Sequence, residues 1–390
     1  MRKLSEIGVA LIGTGFMGAV HTEALKRVGV RLVGVLGSSP EKSQDAATAL
    51  GYAKSYGSLE ALLADPEVHV VHVNTPNRLH LSQALACLAA GKHVLCEKPL
   101  GMDSAQSATL LAAAEAHPEL ATGVNYNNRF YALCQEAKSK VAHGDVGRLF
   151  HVTGSVTQDW LLYDTDYNWR VLTEEQGELR ALADIGSHWL DLIHFVTGLE
   201  IEAVCADFTT VHPVRRRPLG EVATFASADP TNTEPIPITT DDYGAVLLRF
   251  AGGARGCFFV SLVSPGRKYR VAFELAGQNA TLAWNSEDCE SLWTGRREGF
   301  STLERRDPSR LFPGMTDYPA GHAEGYPDSF KLCFRSFYQY IAAGVFSAPK
   351  PYPTFADGHR DNLLCDALVK SQQTGGWIST TPPPPARRGG

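Results

Sequence analysis

The chain has 390 residues, more than one hydrophobic core usually serves, so the sequence predicts two domains. Its hydrophobic and charged fractions, 44% and 20%, are typical of a soluble globular protein, and the formal net charge of -6 argues against nucleic acid as a partner. The 8 cysteines are scattered without a Cys-x-x-Cys pair, which indicates neither a zinc site nor a disulfide framework and favours a reducing cytoplasm.

The amino-terminal stretch does not have the pattern of a signal peptide. Its apolar run is short, is broken by Gly13 and Gly15, and has no small-residue cleavage site. No other stretch approaches the length of a membrane span. We therefore expect a cytoplasmic protein without a membrane partner.

The first element in the chain is a short apolar strand that leads through a glycine-rich loop into a helix. The loop reads Gly13-Thr14-Gly15-Phe16-Met17-Gly18, which is the Gly-x-Gly-x-x-Gly spacing of dinucleotide sites. Gly13 permits a tight turn, Gly15 lets the backbone approach a pyrophosphate, and Gly18 lets the helix pack against the strand. The unpaired N–H groups at the start of the helix would hold that pyrophosphate. The order of strand, loop and helix predicts a nucleotide site.

The second predicted strand, residues 30–36, ends without the acidic residue that holds the ribose hydroxyls in NAD-type folds. Gly37 follows it, and then Ser39 as the N-cap of the next helix. Without a carboxylate, a 2′-phosphate meets no repulsion, and Ser38, Ser39 and Lys42 could bind one. The alternative is a helix start that does not touch the ribose. The cofactor is therefore NAD or NADP, with these residues slightly favouring NADP.

Polar residues also follow the next two predicted strands. Asn74-Thr75-Pro76-Asn77 comes after one buried strand and Glu97-Lys98-Pro99 after the next. The carboxyl ends of parallel strands meet at one edge of a sheet, so both turns are expected to face the cofactor, together with His80 at the start of a helix. Lys98 stands where it can meet a substrate. The alternative for Glu97 and Lys98 is a solvated charge pair.

The chain changes character at a boundary near residue 123, which ends a first domain of residues 1–123. Residues 124–375 are predicted to form a second domain with a large, mostly antiparallel sheet whose one face is open. Its strands are expected over residues 147–158, 201–210, 244–250, 256–262, 270–276 and 280–286, and its helices over 330–343 and 360–371. Residues 211–242 are predicted to be a long surface loop, and residues 376–390 a Pro-rich, disordered tail.

Asp184 and His188 form a second candidate group. They lie four residues apart in a predicted helix, which puts them on one face if the helix starts at Asp184. Histidine suits proton transfer near neutral pH, and a carboxylate nearby would orient it; the alternative is a helix cap and a packed histidine. A metal site is not predicted, because this stretch lacks the His-x-x-x-His spacing of a helical zinc pair.

Taken in order, these motifs resemble the Gfo/Idh/MocA oxidoreductase family, which includes glucose–fructose oxidoreductase and inositol dehydrogenase. The resemblance covers about residues 7–370 and rests on the glycine loop, the 74–77 turn with His80, the Glu97-Lys98-Pro99 triplet, and Asp184-Ile185-Gly186-Ser187-His188. The triplet and the Asp-x-Gly-x-His motif in this order are far more specific than either alone.

The resemblance implies an α/β protein in which an N-terminal Rossmann domain with a parallel sheet precedes a C-terminal α+β domain. It further implies hydride transfer between NAD or NADP and a hydroxyl or keto carbon of a sugar, polyol or sugar derivative. The open sheet faces would join copies into a homodimer or homotetramer.

By the family's pattern, Lys98 would hydrogen-bond the reacting oxygen, His188 would be the general acid or base, and Asp184 would hold the substrate or the histidine. Asn125, at the end of the last strand of the first domain, joins the cofactor-binding candidates. The substrate-contact candidates are Tyr126, Trp160, Trp169, Arg170 and His322, of which Arg170 and His322 have no secure family role. Two other functions stay open: a glycosidase that uses NAD without net consumption, and a non-catalytic sensor of cofactor and sugar.

Overall fold

Short buried strands alternate with helices in the first part of the chain, as the sequence predicts. The computed structural model describes residues 2–220, 232–311 and 314–380. The elements of the first part are β1 (Gly8–Ile12), α1 (Phe16–Val28), β2 (Arg31–Leu36), α2 (Pro40–Leu50), β3 (Lys54–Ser55), α3 (Leu59–Ala64), β4 (Val70–Val73), α4 (His80–Ala89), β5 (His93–Cys96), α5 (Ser104–Ala116) and β6 (Thr122–Val124).

The six strands of this part form one parallel sheet in the order β3-β2-β1-β4-β5-β6. The strand order reverses between β1 and β4, and ligands of open α/β sheets bind beyond the carboxyl ends of strands at such a point. The predicted Rossmann domain is therefore confirmed. So is the predicted start of α2, where the Ser39 hydroxyl accepts a hydrogen bond from the Lys42 backbone N–H at 3.2 Å.

The second part of the chain builds a larger sheet with helices on one face. Its elements are α6 (Ala132–Ala142), β7 (Leu149–Thr157), α7 (Thr173–Gln176), α8 (Ser187–Thr197), β8 (Ile201–Thr209), β9 (Val214–Pro218), β10 (Thr233–Pro237), β11 (Tyr243–Phe250), β12 (Arg255–Ser261), β13 (Arg270–Gly277), β14 (Thr281–Asn285), β15 (Ser291–Gly295), β16 (Thr302–Arg305), α9 (Tyr326–Ala343), α10 (Phe355–Thr374) and β17 (Ile378–Ser379).

Nine of these strands pair in the order β16-β15-β14-β13-β7-β12-β11-β8-β17, and only the β7–β12 pair among them runs parallel. Side chains alternate along β11, where Val246 and Leu248 are buried and Leu247 between them is half exposed. The buried side packs on α8 and α10, while the opposite side carries no other described element of the chain. The predicted large, mostly antiparallel sheet is confirmed.

The predicted long loop over residues 211–242 is wrong in part. β9 and β10 pair as an antiparallel ribbon, and residues 221–231 lie outside the described part of the chain. Arg215 of β9 is fully buried and donates to the carboxylate of Asp242 at 2.7 Å. A Pro- and Thr-rich composition suggested a surface loop, but this buried ion pair fixes the ribbon to the domain.

The ends of the second domain also differ from the prediction, at α9 and at β17. α9 packs on the first domain, where Phe334 and Phe337 share a core cluster with Val9, because the chain returns to the first sheet after crossing the second. β17 pairs with β8, so residues 376–380 of the predicted tail belong to the large sheet, and residues 381–390 lie outside the described residues. Among the described helices, none has both the length and the apolar character to cross a membrane.

Candidate active site

A cleft of about 650 Å³, the rim cleft, lies at the carboxyl ends of β1, β2, β4 and β5. The turns that follow these strands line it, as expected from the sequence. Trp169 and Arg170 close it from the second domain. The predicted cofactor-binding residues on its wall are Gly13, Thr14, Gly15, Phe16, Met17, Ser38, Lys42, Asn74, Thr75, Pro76, Asn77, Glu97 and Lys98.

The glycine loop leaves the space that a pyrophosphate needs. A Cβ on Gly13 (φ +96) would lie 2.5 Å from the Asn74 carbonyl oxygen, and one on Gly18 would lie 2.5 Å from the Gly13 carbonyl oxygen. A Cβ on Gly15 would meet nothing within 4 Å. The side-chain oxygen of Asn74 is buried on the wall of this cleft and has no hydrogen-bond partner among the described residues. The loop, the open space and this unpaired oxygen fit a dinucleotide.

A second, smaller cavity of about 90 Å³, the inner pocket, adjoins the rim cleft. Phe16, Met17, Glu97, Lys98 and Arg170 line both cavities, so their walls meet at the end of β5. The remaining residues of the inner pocket come mainly from the second domain and are Asn125, Asn127, Gln158, Trp160, Asp184, Ile185, His188, Tyr269, Tyr326 and Phe330.

The ammonium group of Lys98 is held by one residue of the second domain. Its Nζ lies 2.6 Å from Asp184 Oδ1 and 2.5 Å from the Asp184 carbonyl oxygen. Arg170 Nε stands 3.6 Å from the same carboxylate oxygen. Burial alone raises the pKa of the Asp184 carboxyl, but the charges of Lys98 and Arg170 outweigh it and lower this pKa to about 2. Asp184 is therefore a carboxylate that fixes Lys98 at the junction of the two cavities.

His188 lines the inner pocket but is not oriented by Asp184. Its Nδ1 is buried without a hydrogen-bond partner among the described residues. Asp184 lies in a π-helical turn (Leu182–Gly186), whose wider spacing takes it out of the helical row that leads to His188 in α8. Burial and the charge of Lys98 lower the pKa of the His188 imidazole to about 3. The ring is therefore neutral at neutral pH.

The helix that carries His188 is fixed by packing and by buried hydrogen bonds. Trp189 lies against Gly154 of β7, where an added Cβ would come within 2.1 Å of Trp189 Nε1, and this indole N–H donates to the Ala272 carbonyl at 2.9 Å. Before the π-turn, the carboxylate of Asp241 accepts the backbone N–H groups of Arg180 and Leu182 at 2.6 and 2.9 Å. Asp241, near the end of the predicted surface loop of residues 211–242, thus supports the start of the π-helical turn that carries Asp184.

Two predicted cofactor-binding residues, His80 and Asn125, do not line the rim cleft. His80 is fully buried, with Nδ1 2.9 Å from the Pro99 carbonyl oxygen and Nε2 2.9 Å from the Thr75 carbonyl oxygen, so it joins the two turns without lining the rim cleft. Asn125 donates to Glu97 Oε1 at 2.6 Å and lines the inner pocket, not the rim cleft. In the turn whose Pro99 carbonyl His80 contacts, the Lys98–Pro99 peptide bond is cis.

Four further candidates are placed differently from the prediction. Ser39 lies outside the rim cleft, because its hydroxyl caps α2. Tyr126 is buried behind His188, edge-on to its ring at 5.8 Å between centroids. Trp169 lines the rim cleft and stacks on Arg170. His322 lines neither cavity: it is exposed, and its carbonyl accepts from Arg306 at 2.6 Å.

Sequence reasoning missed Tyr269 and Phe330 in the aromatic wall of the inner pocket. Tyr326 and Phe330 open α9 and Tyr269 precedes β13, so they lie far apart in the chain and meet only when α9 returns to the first domain. Tyr269 and Tyr326 touch edge to face at 5.4 Å. No spacing or motif in the sequence marks these residues.

The first domain has a parallel sheet with a glycine loop at its switch point, and Lys98 at the same edge faces Asp184 and His188 of the second domain. This arrangement is typical of dinucleotide-binding oxidoreductases. Residues 7–126 match the family model described as oxidoreductase family, NAD-binding Rossmann fold, and residues 134–283 match the GFO/IDH/MocA C-terminal domain. The chain therefore belongs to the Gfo/Idh/MocA oxidoreductase family.

Similar proteins extend over nearly the whole chain. A levoglucosan dehydrogenase from Pseudarthrobacter phenanthrenivorans is 29% identical over 392 aligned residues, which cover 96% of this chain and 98% of that protein. A structure of levoglucosan dehydrogenase in complex with NADH and levoglucosan has a TM-score of 0.86 at 27% identity, covering 96% of this chain and 98% of that one. An oxidoreductase domain protein from Kribbella flavida has a TM-score of 0.88 at 30% identity, covering 97% and 100%.

Proposed function

We propose that this protein is an NAD(P)-dependent dehydrogenase or reductase that transfers a hydride between nicotinamide and the carbinol or keto carbon of an uncharged sugar or polyol. The observation that carries the proposal is the Lys98–Asp184 pair, which stands where the rim cleft and the inner pocket meet, with His188 on the same wall. Similarity to a levoglucosan dehydrogenase over 96% of the chain supports it.

Lys98 is suited to hold the reacting oxygen. An ammonium group has three N–H donors, and Asp184 accepts two of them, so one remains to point at a substrate oxygen. As the hydroxyl loses its proton and the carbinol carbon its hydride, negative charge develops on that oxygen, and a fixed cation stabilises it. The nicotinamide, when bound in the rim cleft, supplies the hydride acceptor or donor.

His188 is suited to take the hydroxyl proton. Because burial and the charge of Lys98 lower its pKa to about 3, the free imidazole is unprotonated throughout the neutral range and has a nitrogen lone pair to offer to the hydroxyl proton. The Lys98 ammonium beside it favours proton removal from the same hydroxyl. In the direction of reduction, the same two groups would return the proton and hold the carbonyl oxygen.

The charges of the inner pocket favour an uncharged substrate. Its charged side chains comprise the two anions Glu97 and Asp184 and the two cations Lys98 and Arg170, and both cations lie beside Asp184. Among the described residues of the pocket, no cation is left over for a carboxylate or phosphate on the substrate. Aromatic rings beside polar groups suit a sugar ring, which has apolar faces and polar edges.

For the cofactor, we infer NAD or NADP, with NADP slightly preferred. Among the described residues that line the rim cleft, Glu97 is the only carboxylate, and it lies at the end away from Ser38 and Lys42. Ser38 and Lys42 line the end where the second ribose would lie, and neither repels a 2′-phosphate. A ratio of the dissociation constants for NADP and NAD that falls below one in the wild type and rises in Lys42→Ala supports this preference.

The open face of the large sheet is proposed to join copies of the chain into a homodimer or homotetramer. Leu247, Phe259 and Trp293 are exposed on this face by 50%, 41% and 38%. They surround a depression of about 740 Å³ whose wall is mostly apolar. Apolar patches of this kind mark association surfaces.

The test is a substrate screen with NAD and NADP in parallel, following the absorbance of the reduced nicotinamide. The panel contains levoglucosan, myo-inositol and 1,5-anhydro-D-fructose, the compounds after which three similar proteins are named. It also contains carboxylated and phosphorylated sugars. We expect turnover of at least one uncharged sugar and at least about tenfold lower kcat/KM for its charged counterpart.

Two results would overturn the proposal. Release of free sugar from a glycoside with no net change in reduced cofactor identifies a glycosidase. Tight binding of cofactor and sugar without turnover across the panel identifies a sensor. Neither result depends on the choice between NAD and NADP.

A further inference from the structure

A second cleft between the two domains lies beside the Lys98–Asp184 pair. This cavity of about 650 Å³, the back cleft, is lined by the turn that precedes α5, by α7 and the residues after it, and by α10 and β17. Lys98 and Asp184 line the inner pocket, whereas their chain neighbours Pro99 and Ala183 line the back cleft. No described residue lines both the back cleft and one of the other two cavities, so it is a separate cavity.

The back cleft contains a buried side chain whose polar atoms are unpaired. Gln176, the last residue of α7, lies on its wall and is 2% exposed. Neither Oε1 nor Nε2 of its carboxamide has a hydrogen-bond partner among the described residues. Its backbone is fixed, because its N–H donates to the Leu172 carbonyl and its own carbonyl accepts from Asn77 Nδ2, both at 3.0 Å. A buried carboxamide costs free energy until a ligand or an ordered water pairs with it.

The charges on the wall of the back cleft disfavour an anion. Asp103, Glu178 and Lys370 are exposed, so the cleft opens to solvent. Asp366 also lies on this wall, and its Oδ2 accepts the Ser104 backbone N–H at 3.1 Å. The described residues of the wall thus carry three carboxylates and one ammonium group. This excess of negative charge favours an occupant without a carboxylate or phosphate.

The rest of the wall favours an apolar ring or chain over a sugar. Met102, Leu179 and Val369 contribute apolar surface from both domains. Among the residues that the structure describes, no aromatic side chain lines the back cleft, so it lacks the flat surface against which a sugar ring packs. The inner pocket has such rings, and the two cavities therefore differ in the ligands they suit.

We propose that the back cleft is a second ligand site, which binds an uncharged small molecule with a primary carboxamide on an apolar ring or chain. A primary carboxamide carries a donor and an acceptor side by side, and so complements Gln176, whose Oε1 accepts and whose Nε2 donates. Its apolar part covers the wall between the domains. An occupant that spans the cleft touches the first domain at Pro99 and the second at Ala183, next to the Lys98–Asp184 pair.

The experiment titrates cyclohexanecarboxamide into the full chain and measures its binding by ligand-observed NMR. Saturating NAD is present, so that the rim cleft is filled. The carboxamide should bind with a Kd on the order of 1 mM, as suits a molecule of this size. N,N-dimethylcyclohexanecarboxamide has no N–H group, and cyclohexanecarboxylate is an anion without a donor. Both should bind at least about tenfold more weakly.

The variant Gln176→Leu tests the assigned contact. Leucine removes two buried polar atoms that have no partner, so the melting temperature should equal or exceed that of wild type. Binding of the carboxamide should nevertheless weaken by about tenfold or more, because its polar group would be left unpaired. Gln44→Leu in α2 is the matched control: Gln44 Oε1 accepts from the Ser55 hydroxyl at 2.8 Å away from the back cleft, and its Kd should match wild type.

Three results would overturn the inference. Wild type that binds no carboxamide up to about 20 mM has a cleft for water only. Binding that disappears when NAD is added places the ligand in the rim cleft. Equal affinity of Gln176→Leu and wild type removes Gln176 as the contact. None of these measurements uses turnover, so a substrate screen without a substrate would overturn the proposed function and leave this inference to its own test.

Discussion

Replacing Lys98 by Met tests the central feature of the proposed mechanism. Met has nearly the length of the lysine side chain and no N–H group, so the substitution removes the cation and leaves its volume in place. Among the described residues, the Asp184 carboxylate then keeps Arg170 at 3.6 Å as its charged neighbour. We expect a large loss of turnover, a moderate loss of stability and little change in cofactor affinity.

The size of each effect follows from the contacts. Removing one donor to a developing oxyanion lowers kcat by about a hundredfold to a thousandfold. Lys98 also helps to lower the pKa of Asp184 from 3.8 to about 2. A carboxyl with a depressed pKa stabilises the fold at pH values above 3.8, and this contribution disappears as the pH falls through about 2. Losing it at neutral pH costs roughly 2 kcal/mol at most, since Arg170 remains.

The assay compares kcat, melting temperature and cofactor affinity in wild type and variant, with the substrate that the panel identifies. Cofactor affinity should stay within about threefold, because the glycine loop is unchanged. Lys92→Met is the matched control: Lys92 precedes β5 at the opposite end of the strand and donates to the Asp65 and Val68 carbonyls at 3.0 and 2.8 Å. Retention of more than about a tenth of the wild-type kcat in Lys98→Met would refute the assigned role.

Four other substitutions probe the remaining parts of the molecule. Gly15→Ala should weaken cofactor binding at unchanged melting temperature, because its Cβ meets nothing within 4 Å of the protein. Gly18→Ala should instead lower the melting temperature, because its Cβ lies 2.5 Å from the Gly13 carbonyl oxygen. Calorimetry and cofactor titration distinguish the two variants. Burial lowers the pKa of His188 from 6.5 to about 3, so below pH 6.5 the unfolded chain binds a proton that the native protein does not bind, and the native protein loses stability. His188→Gln should therefore show a smaller fall in melting temperature than wild type between about pH 6.5 and 4. An equal fall contradicts the buried neutral state of His188. Leu247→Lys on the open sheet face should reduce the assembled mass in light scattering without changing kcat per intact site by more than about twofold, and an unchanged mass removes this face as the interface.

The sequence by itself determined the cofactor half of the site. Residues that touch a dinucleotide come from turns that directly follow strands, so the order of strand, turn and helix places Gly13, Asn74 and Lys98 at one edge before any tertiary contact is known. The Ser39 cap of α2 is equally local, because its partner is the N–H three residues ahead. Local spacing was misleading for Asp184 and His188, since a π-turn replaces the expected α-helical turn.

Tertiary structure alone decided what the local patterns left open. Asp184 accepts a hydrogen bond from Lys98, which is 86 residues away in the chain, and not from His188. This contact forms only because the two domains meet. The aromatic wall of the inner pocket exists because α9 returns to the first domain. His322, a pocket candidate from its sequence position, lies exposed outside both cavities. Contacts between distant segments follow from how whole faces pack, and one sequence records the faces but not which of them meet.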